Sequence, residues 1–347
     1  MVGSIWQKVT DPKRVFVIAE AGVNHNGSLE MAKRMVDVAV NVGADAIKFQ
    51  TFKAEKVVSN NAPKADYQIK TTDIKESQLE MLRRLELSYD SFEILKSYCN
   101  DRDITFLSTP FDIASADFLD EIEIELFKIP SGEITNFPFL SHIAKKKKPM
   151  IISTGMAYLG EVEAALNVIE ATGNTNIALL HCVSNYPTSP QDVNLRAIDT
   201  LKKAFALPVG FSDHTLGFEI AISAVALNTC IIEKHFTLDR KLSGPDHSAS
   251  LDPDELKTMI NGIRKVEMAL GHGLKKPAQS EMNTRIVARR SLVASQDIPE
   301  NTVLTEDMID IKRPGSGLSP IMLQYIIGRV SKKKINQGSL IDFGILC

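Results

Sequence analysis

Two histidines, His214 and His235, stand at the ends of two apolar runs and carry the side chain that most often binds transition metals in proteins. The runs cover residues 208–214 and 230–236, and residues 219–227 between them have the pattern of a short helix. Because a strand–helix–strand unit returns the chain to the same edge of a parallel sheet, the spacing predicts that the two imidazoles converge.

Carboxylates stand close to both histidines, which favours a divalent transition metal bound by neutral imidazoles. The alternative is a pair of hydrogen-bonded core histidines with no ligand. The repeated placement at a strand end favours the metal. The nearby carboxylates are Asp213, Glu233 and Asp246.

Eight apolar runs of strand length, each followed by a helical pattern, predict a closed (β/α)8 TIM barrel of the α/β class. The helical pattern is clear at 29–39, with Ser28 as a predicted N-cap, and after Asp252, where apolar residues keep helical spacing up to Gly271. The predicted strands are 15–20, 46–50, 104–108, 126–130, 150–154, 177–181, 208–212 and 230–235.

Catalytic residues of TIM barrels lie at the carboxyl ends of the strands, and these ends are densely polar here. Lys48 and Lys128 predict a cage for a phosphorylated or carboxylated small molecule. Glu20 is the candidate base, or else a partner of one lysine. The hydroxyls that complete the cage, each of which could instead cap a helix, are Thr109, Ser131, Ser153 and Ser212.

A lysine in such a barrel could instead form a Schiff base with a carbonyl substrate. Schiff-base enzymes need no metal, whereas this sequence offers a histidine pair. Polarisation of a carbonyl by a metal is therefore the preferred prediction.

Composition restricts the possible partners. The 347-residue chain is 44% hydrophobic and has a net charge of −3, so it presents no broad basic field for nucleic acid. No apolar stretch long enough to span a membrane and no secretion signal are recognisable in the sequence. The four cysteines are widely scattered, which indicates a reducing, cytoplasmic location.

The chain divides into a barrel at 1–272, a linker at 273–287 rich in Gly, Lys and Pro, and a small β-rich domain at 288–347. About 60 residues form a thin core, so this domain is expected to lean on its own barrel or on another subunit. Within the barrel, residues 52–87 interrupt the pattern and are expected to form a functional loop or lid.

At the strand ends the sequence resembles the sialic acid (nonulosonate) synthase family, and the resemblance covers nearly the whole chain. Its last part is similar to the antifreeze-like (SAF) domain of that family. The motifs that carry the resemblance are EAGVNHNG (20–27), KFQT (48–51), STPF (108–111), KIPSGE (128–133), STGM (153–156), YPT (186–188), SDH (212–214), EKHF (233–236), GPDH (244–247) and KRPGSG (312–317).

This resemblance implies condensation of phosphoenolpyruvate with an open-chain N-acyl-mannosamine sugar to a nine-carbon 2-keto acid and phosphate. The metal, expected to be Mn²⁺ with Mg²⁺ or Co²⁺ possible, would be bound by His214 and His235. Glu20 would handle the attacking water. Phosphoenolpyruvate would be held by Lys48, Thr109, Lys128, Ser131, Ser153 and Ser212, and the sugar by Gln50, Phe111, Glu133, Tyr186 and Asp246.

The resemblance further implies a homodimer with exchanged C-terminal domains, in which Arg313 reaches the partner's sugar. The sequence shares features with both the legionaminate and the N-acetylneuraminate synthases, and the choice of sugar stays open. The position two before Tyr186 is Ser184, where members with an Asn contact the ligand.

Two other functional classes are possible. One is a metal-dependent hydrolase or isomerase acting on a phosphorylated sugar, although such barrels usually carry more His and Asp ligands. The other is a tail that binds carbohydrate or ice independently of the barrel. An Arg-Pro-Gly loop attached to a complete barrel argues against that second alternative.

Overall fold

The computed structural model describes residues 3–73 and 75–347 and divides the chain into two compact units, Met1–Gly271 and His272–Cys347. Each of the eight predicted strands of the first unit is present, so the predicted TIM barrel is confirmed. The strands are β1 (Phe16–Gly22), β2 (Ala46–Thr51), β3 (Thr105–Pro110), β4 (Phe127–Ile129), β5 (Met150–Ser153), β6 (Ile177–Cys182), β7 (Val209–Asp213) and β8 (Ile231–His235).

The barrel sheet is parallel and has the order β3-β2-β1-β8-β7-β6-β5-β4. Each strand pairs with its sequence neighbour except between β3 and β4, and β1 pairs with β8, as βα units wound in one direction require. β3 and β4 lie beside each other, without a paired ladder among the described residues. All eight carboxyl ends therefore meet at one mouth.

The barrel helices begin and end where the sequence provides caps. Ser28 Oγ accepts a hydrogen bond from the Met31 N–H, and Gly43 closes the first barrel helix at φ 82°, a conformation that favours glycine. The last barrel helix begins directly after Asp252, as predicted, and the Asp252 carboxylate accepts the Glu255 N–H as its N-cap. The helices are α1 (Gly3–Val9), α2 (Leu29–Val42), α3 (Ala54–Val57), α4 (Asp66–Thr71), α5 (Gln78–Leu85), α6 (Tyr89–Asn100), α7 (Ile113–Glu121), α8 (Phe137–Ala144), α9 (Leu159–Glu170), α10 (Ala197–Phe205), α11 (Glu219–Val225) and α12 (Pro253–Leu270).

The interruption between β2 and β3 is more regular than the sequence predicts. The segment expected to be a functional loop or lid contains the short helices α3, α4 and α5. The capping box of Ser77 and Glu80 starts α5, and its Met81 and Leu85 are buried against Phe52. A local apolar cluster is therefore what makes this segment helical.

Helix α1 was not predicted from the sequence. Its Ile5 and Val9 are buried in a cluster with Phe16, Leu107 and other apolar residues from the amino-terminal half of the barrel. The helix thus closes the end of the barrel opposite the mouth. None of the helices in the described part of the chain has the length and apolar character needed to cross a membrane.

The second unit has its own small apolar core, which includes Leu292, Leu304, Ile326 and Ile341. Antiparallel pairing and isolated bridges surround this core, as expected for a β-rich domain. Part of the segment predicted as a linker is helical, because the Glu281 carboxylate accepts the Ala278 N–H and begins a helical turn there. The elements are α13 (Met282–Ala288), β9 (Ser291–Ala294), β10 (Ile309–Lys312) and α14 (Leu323–Ile326).

Candidate active site

A cavity of about 400 Å³ opens at the carboxyl ends of the barrel strands. It contains almost every site residue that the sequence predicts in the first unit. These are Glu20, Lys48, Gln50, Thr109, Phe111, Lys128, Ser131, Ser153, Tyr186, Ser212, His214, His235 and Asp246.

Two cavities of about 520 and 640 Å³ lie at the opposite end of the barrel. They are lined by residues that precede or begin the strands, such as Val15 and Asp45 in the first and Pro208 in the second. Neither contains a predicted site residue, so the chemistry collects at the mouth.

Four buried charged groups form the floor of the mouth cavity. Lys48 Nζ lies 2.7 Å from Glu20 Oε2 and 3.7 Å from Glu233 Oε2, and Lys128 Nζ lies 3.0 Å from Glu233 Oε1. All four side chains are at most 4% exposed. The two positive and two negative charges balance, which keeps the group tolerable in a site of low dielectric.

The environment separates the acidities of the two carboxyl groups. Burial, with a smaller contribution from the Glu233 charge, raises the pKa of Glu20 to about 7, although Lys48 opposes the rise. Burial acts in the same direction on Glu233, but Lys128 and Lys48 together hold the pKa of that carboxyl well below its usual range. Two carboxyl groups with separated pKa values are typical of sites that transfer protons.

Hydroxyl groups surround the two lysines. Lys48 Nζ donates to Thr109 Oγ1 at 3.0 Å, and Ser212 Oγ donates to Glu233 Oε1 at 2.8 Å. Ser131 Oγ accepts the Gly155 N–H at 2.9 Å, and a Cβ at Gly155 would lie 2.9 Å from that same oxygen. Because glycine has no Cβ, position 155 leaves the space that the Ser131 hydroxyl occupies.

His214 and His235 converge as predicted, with ring centroids 5.6 Å apart. His214 Nδ1 lies 2.7 Å from the Val183 carbonyl oxygen, which only accepts, so Nδ1 carries the proton and Nε2 keeps its lone pair. Burial lowers the pKa of His214 to about 4 and that of His235 well below its usual value. Both imidazoles are therefore neutral near pH 7.

The donor set fits a divalent metal bound by two protein nitrogens. His235 Nδ1 is buried without a hydrogen-bond partner, although a buried polar atom normally has one. Among residues 3–73 and 75–347, no three His, Cys, Asp or Glu side chains are grouped for metal binding. Any ion here would leave coordination positions for water and substrate, as catalytic sites do.

Asp246 and two tyrosines form the outer wall of the cavity. Burial raises the pKa of Asp246 to about 6. The Tyr186 ring lies 4.2 Å from that of His214 and 5.1 Å from that of Tyr67, measured between centroids. Tyr67 belongs to α4, so the helical insertion between β2 and β3 supplies part of the site.

The structure adds site residues that the sequence reasoning did not assign. Glu233 was noted only as a carboxylate near a metal, yet it contacts both lysines. Its position two before His235 in a strand, which directs both side chains to the same face, was the available signal. Tyr67 and Leu82 line the cavity from the insertion, and no local pattern could have placed them there.

Two predicted residues lie elsewhere. Glu133 is half-buried and does not line the cavity, and its Oε2 accepts a hydrogen bond from Asn136 Nδ2 at 2.6 Å. That bond follows from the 3-10 turn Ser131–Glu133, which turns the side chain toward the start of α8. Arg313 is exposed in the second unit.

The chain is similar to known synthases over most of its length. The chain is 49% identical to the N,N'-diacetyllegionaminic acid synthase of Campylobacter jejuni over 95% of this chain and 99% of that protein. It is 40% identical to the human N-acetylneuraminate-9-phosphate synthase over 86% of this chain and 82% of that protein.

A solved structure, the N-acetylneuraminic acid (sialic acid) synthetase of Leptospira borgpetersenii in complex with citrate, superposes with a TM-score of 0.71 at 37% identity. The superposition covers 79% of this chain and 90% of that one. The NeuB family profile matches residues 35–275, and the SAF domain profile matches residues 289–343. The chain therefore belongs to the NeuB family and carries a C-terminal SAF domain.

Proposed function

We propose that this protein is an enzyme that condenses phosphoenolpyruvate with an N-acyl-mannosamine-type sugar, giving a nine-carbon 2-keto sugar acid and phosphate. The observation that carries the proposal is the arrangement of Lys48 and Lys128 among hydroxyl groups, directly beside two neutral imidazoles. One end of the cavity suits a small polyanion, and the other end suits an uncharged polar molecule.

Phosphoenolpyruvate carries a carboxylate and a phosphate, which match two ammonium groups and several hydroxyls. Burial lowers the pKa of Lys128, while the Glu20 and Glu233 charges outweigh burial and raise the pKa of Lys48. An incoming polyanion next to both lysines favours their charged forms. The Glu20 and Glu233 carboxylates beside the two lysines balance their charge.

The two histidines would hold a divalent metal, for which we propose Mn²⁺, with Mg²⁺ or Co²⁺ as substitutes. When bound, such an ion polarises a carbonyl oxygen as a Lewis acid. The protein's own contribution is to present the unprotonated Nε2 of His214, since the Val183 carbonyl fixes the tautomer, and the unpartnered Nδ1 of His235.

In the proposed reaction, the C2–C3 π electrons of phosphoenolpyruvate form a bond to the aldehyde carbon of the sugar, the aldehyde π electrons pass to its oxygen, and positive charge is left at C2. Of the two protons of the water that is then added, one ends on this oxygen as the new hydroxyl and the other on the released phosphate. Water adds at C2, and the tetrahedral intermediate expels phosphate by cleavage of the C–O bond. Glu20, with a pKa of about 7, would take the proton from that water. Ser212 and Lys128 keep Glu233 ionised next to the reacting atoms.

For the sugar, we propose 2,4-diacetamido-2,4,6-trideoxymannose in preference to N-acetylmannosamine. Apolar residues of the insertion, with Phe111 directly after β3, line the cavity and suit the methyl groups of a deoxy, doubly acetylated sugar. The higher identity to the legionaminic acid synthase than to the human relative supports the same choice. These apolar lining residues are Val57, Met81, Leu82, Leu85 and Phe111.

A sugar phosphate is disfavoured on charge grounds. The human relative is named for a product with a phosphate at position 9, so its sugar carries a phosphate. Among the described residues that line the cavity, Lys48 and Lys128 are the only Lys or Arg side chains, and both lie in the anion-binding floor. Within this lining of the barrel unit a second phosphate would find no further cation, and the proposed Arg313 of the partner subunit would be the single group left to balance it.

The test is to incubate the protein with phosphoenolpyruvate and Mn²⁺ and to offer three sugars in parallel: the diacetamido-trideoxymannose, N-acetylmannosamine and N-acetylmannosamine 6-phosphate. Phosphate release and the mass of the keto acid are measured. We expect the highest kcat/KM with the first sugar. Hydrolysis or isomerisation of a sugar phosphate without consumption of phosphoenolpyruvate would instead establish the alternative class of enzyme.

We also propose a cytoplasmic homodimer in which the C-terminal domains are exchanged and Arg313 completes the partner's sugar site. The cytoplasm is where phosphoenolpyruvate is produced. The support for the dimer is the small core of the second unit and its exposed arginine on an RPGSG loop. A guanidinium group offers several N–H donors to the hydroxyl and acetamido oxygens of such a sugar.

A further inference from the structure

A completely buried ion pair lies beside the two histidines but outside the cavity. Lys234 Nζ is 2.8 Å from Asp213 Oδ2, and neither side chain has exposed surface. The two residues are direct neighbours in the ladder between β7 and β8. Because side chains alternate along a strand, they point away from the cavity, whereas Ser212, Glu233 and His235 line it.

The pair also holds the turn that carries His214. Asp213 Oδ1 accepts hydrogen bonds from the Thr215 N–H at 2.9 Å and from Thr215 Oγ1 at 2.8 Å. Lys234 Nζ donates to the Thr215 carbonyl oxygen at 2.6 Å. The residues before and after His214 are thus both tied to the residue before His235.

We propose that Asp213 and Lys234 are positioning residues that fix the separation and direction of the two imidazoles for a divalent metal. This inference rests on the proposed metal site. A buried ion pair is often no more stabilising than a well-packed apolar pair, so stability alone gives little reason for one at this place. A fixed ligand geometry does give a reason, because metal affinity depends on how the groups around the ligands orient them.

The test replaces both charges together, since a single substitution would leave an unpaired buried charge. Asp213→Leu/Lys234→Met removes the ion pair and the hydrogen bonds to Thr215. Asp213→Asn/Lys234→Met keeps an acceptor for the Thr215 N–H and removes only the connection to β8. We expect Mn²⁺ dissociation constants raised about 10- to 100-fold, more in the Leu variant. The metal-free melting temperature should also fall in the Leu variant, and less in the Asn variant, because the buried Thr215 N–H, hydroxyl and carbonyl lose partners.

A matched control uses an ion pair at the other end of the barrel. Arg264 Nη2 lies 2.8 Å from Asp45 Oδ2, which also accepts the Val17 N–H. Asp45→Asn/Arg264→Met should lower the melting temperature and leave the Mn²⁺ dissociation constant unchanged. A purely structural role for the Asp213–Lys234 pair would produce this same result in the Leu/Met variant, and that outcome would overturn the proposal.

A measurement on metal-free protein separates this inference from the proposed function. In imidazole ¹⁵N spectra, His214 of the unsubstituted protein should show the Nδ1-protonated tautomer alone, and the Leu/Met variant should show averaged signals. If the unsubstituted protein binds no Mn²⁺, the metal proposal fails and the spectra still decide the positioning role. Unchanged spectra in a folded variant would refute it, and if the Leu variant does not fold, the Asn variant is decisive.

Discussion

Replacement of Glu20 by glutamine tests the proposed chemistry most directly. The side chain is 1% exposed, lies 2.7 Å from Lys48 Nζ, and has its pKa raised by burial from 4.5 to about 7. If the ionised form takes a proton from water, kcat/KM should rise with pH through about 7 in the unsubstituted enzyme. Glu20→Gln keeps the size of the side chain and removes this step.

The expected size of the effect follows from the role. A positioned acid or base contributes about 10²- to 10⁴-fold, so kcat should fall by that factor and the rise near pH 7 should disappear. Binding of phosphoenolpyruvate should not weaken, because the substitution removes a negative charge beside Lys48. The loss should therefore appear in kcat and not in the dissociation constant of phosphoenolpyruvate.

The same group makes stability depend on pH. Because the pKa of Glu20 is higher in the folded than in the unfolded protein, its contribution to the free energy of unfolding is fully present below pH 4.5. That contribution is lost as the pH rises through about 7. For a fully buried group this corresponds to about 3 kcal/mol of unfolding free energy. In Glu20→Gln this part of the pH dependence should be missing from urea denaturation curves measured at about pH 5 and about pH 8.

The assay is phosphate release from phosphoenolpyruvate at saturating sugar between about pH 5 and pH 9. Glu267→Gln serves as the control, since Glu267 is a half-buried carboxylate that accepts the Val15 N–H at the other end of the barrel. The control should alter stability without altering the pH profile of kcat/KM. A Glu20→Gln enzyme that keeps both the rise near pH 7 and a kcat within about tenfold of the original would refute the reasoning.

Three further predictions concern the metal, the broken bond and the dimer. Exhaustive chelation should abolish turnover, and added Mn²⁺ should restore it. In calorimetry, the His214→Ala protein should bind Mn²⁺ far more weakly than the unsubstituted protein. Full activity after chelation would contradict the proposed metal dependence. Oxygen from labelled water should enter the keto acid and not the phosphate, as mass spectrometry of both products would show, whereas label in phosphate means attack at phosphorus. Mixing Arg313→Ala with Glu20→Ala protein should restore activity toward half of the original per heterodimer, and restoration should be absent if Arg313 acts within its own chain.

The sequence was sufficient to predict the barrel and most of the mouth cavity. Apolar runs with period-two and period-3.6 patterns indicated eight βα units, and closure of parallel strands brings their carboxyl ends together whatever the details of packing. Residues such as Lys48, Lys128 and His235 could therefore be assigned to one site from their positions at strand ends. The prediction needed only the direction of each strand.

Tertiary structure decided which side chains touch. Glu233 pairs with Lys128 across strands β8 and β4, which are not neighbours in the sheet, so the contact depends on barrel radius and register. The Val183 carbonyl that fixes the His214 tautomer likewise comes from a different loop. Local patterns contain no information on such distances.

Elements that are stabilised mainly by tertiary packing could not be predicted from the sequence either. Helix α1 has few apolar residues, and it is held by Ile5 and Val9 inside the barrel end. The insertion places Leu82 in the cavity because α5 packs on Phe52 and Val23. Short helices gain little from propensity and depend on tertiary contacts. The sequence by itself thus determined the fold and the set of chemical groups at the mouth. The pairing of charges, the histidine tautomer and the shape of the apolar lining were decided by packing between segments far apart in the chain.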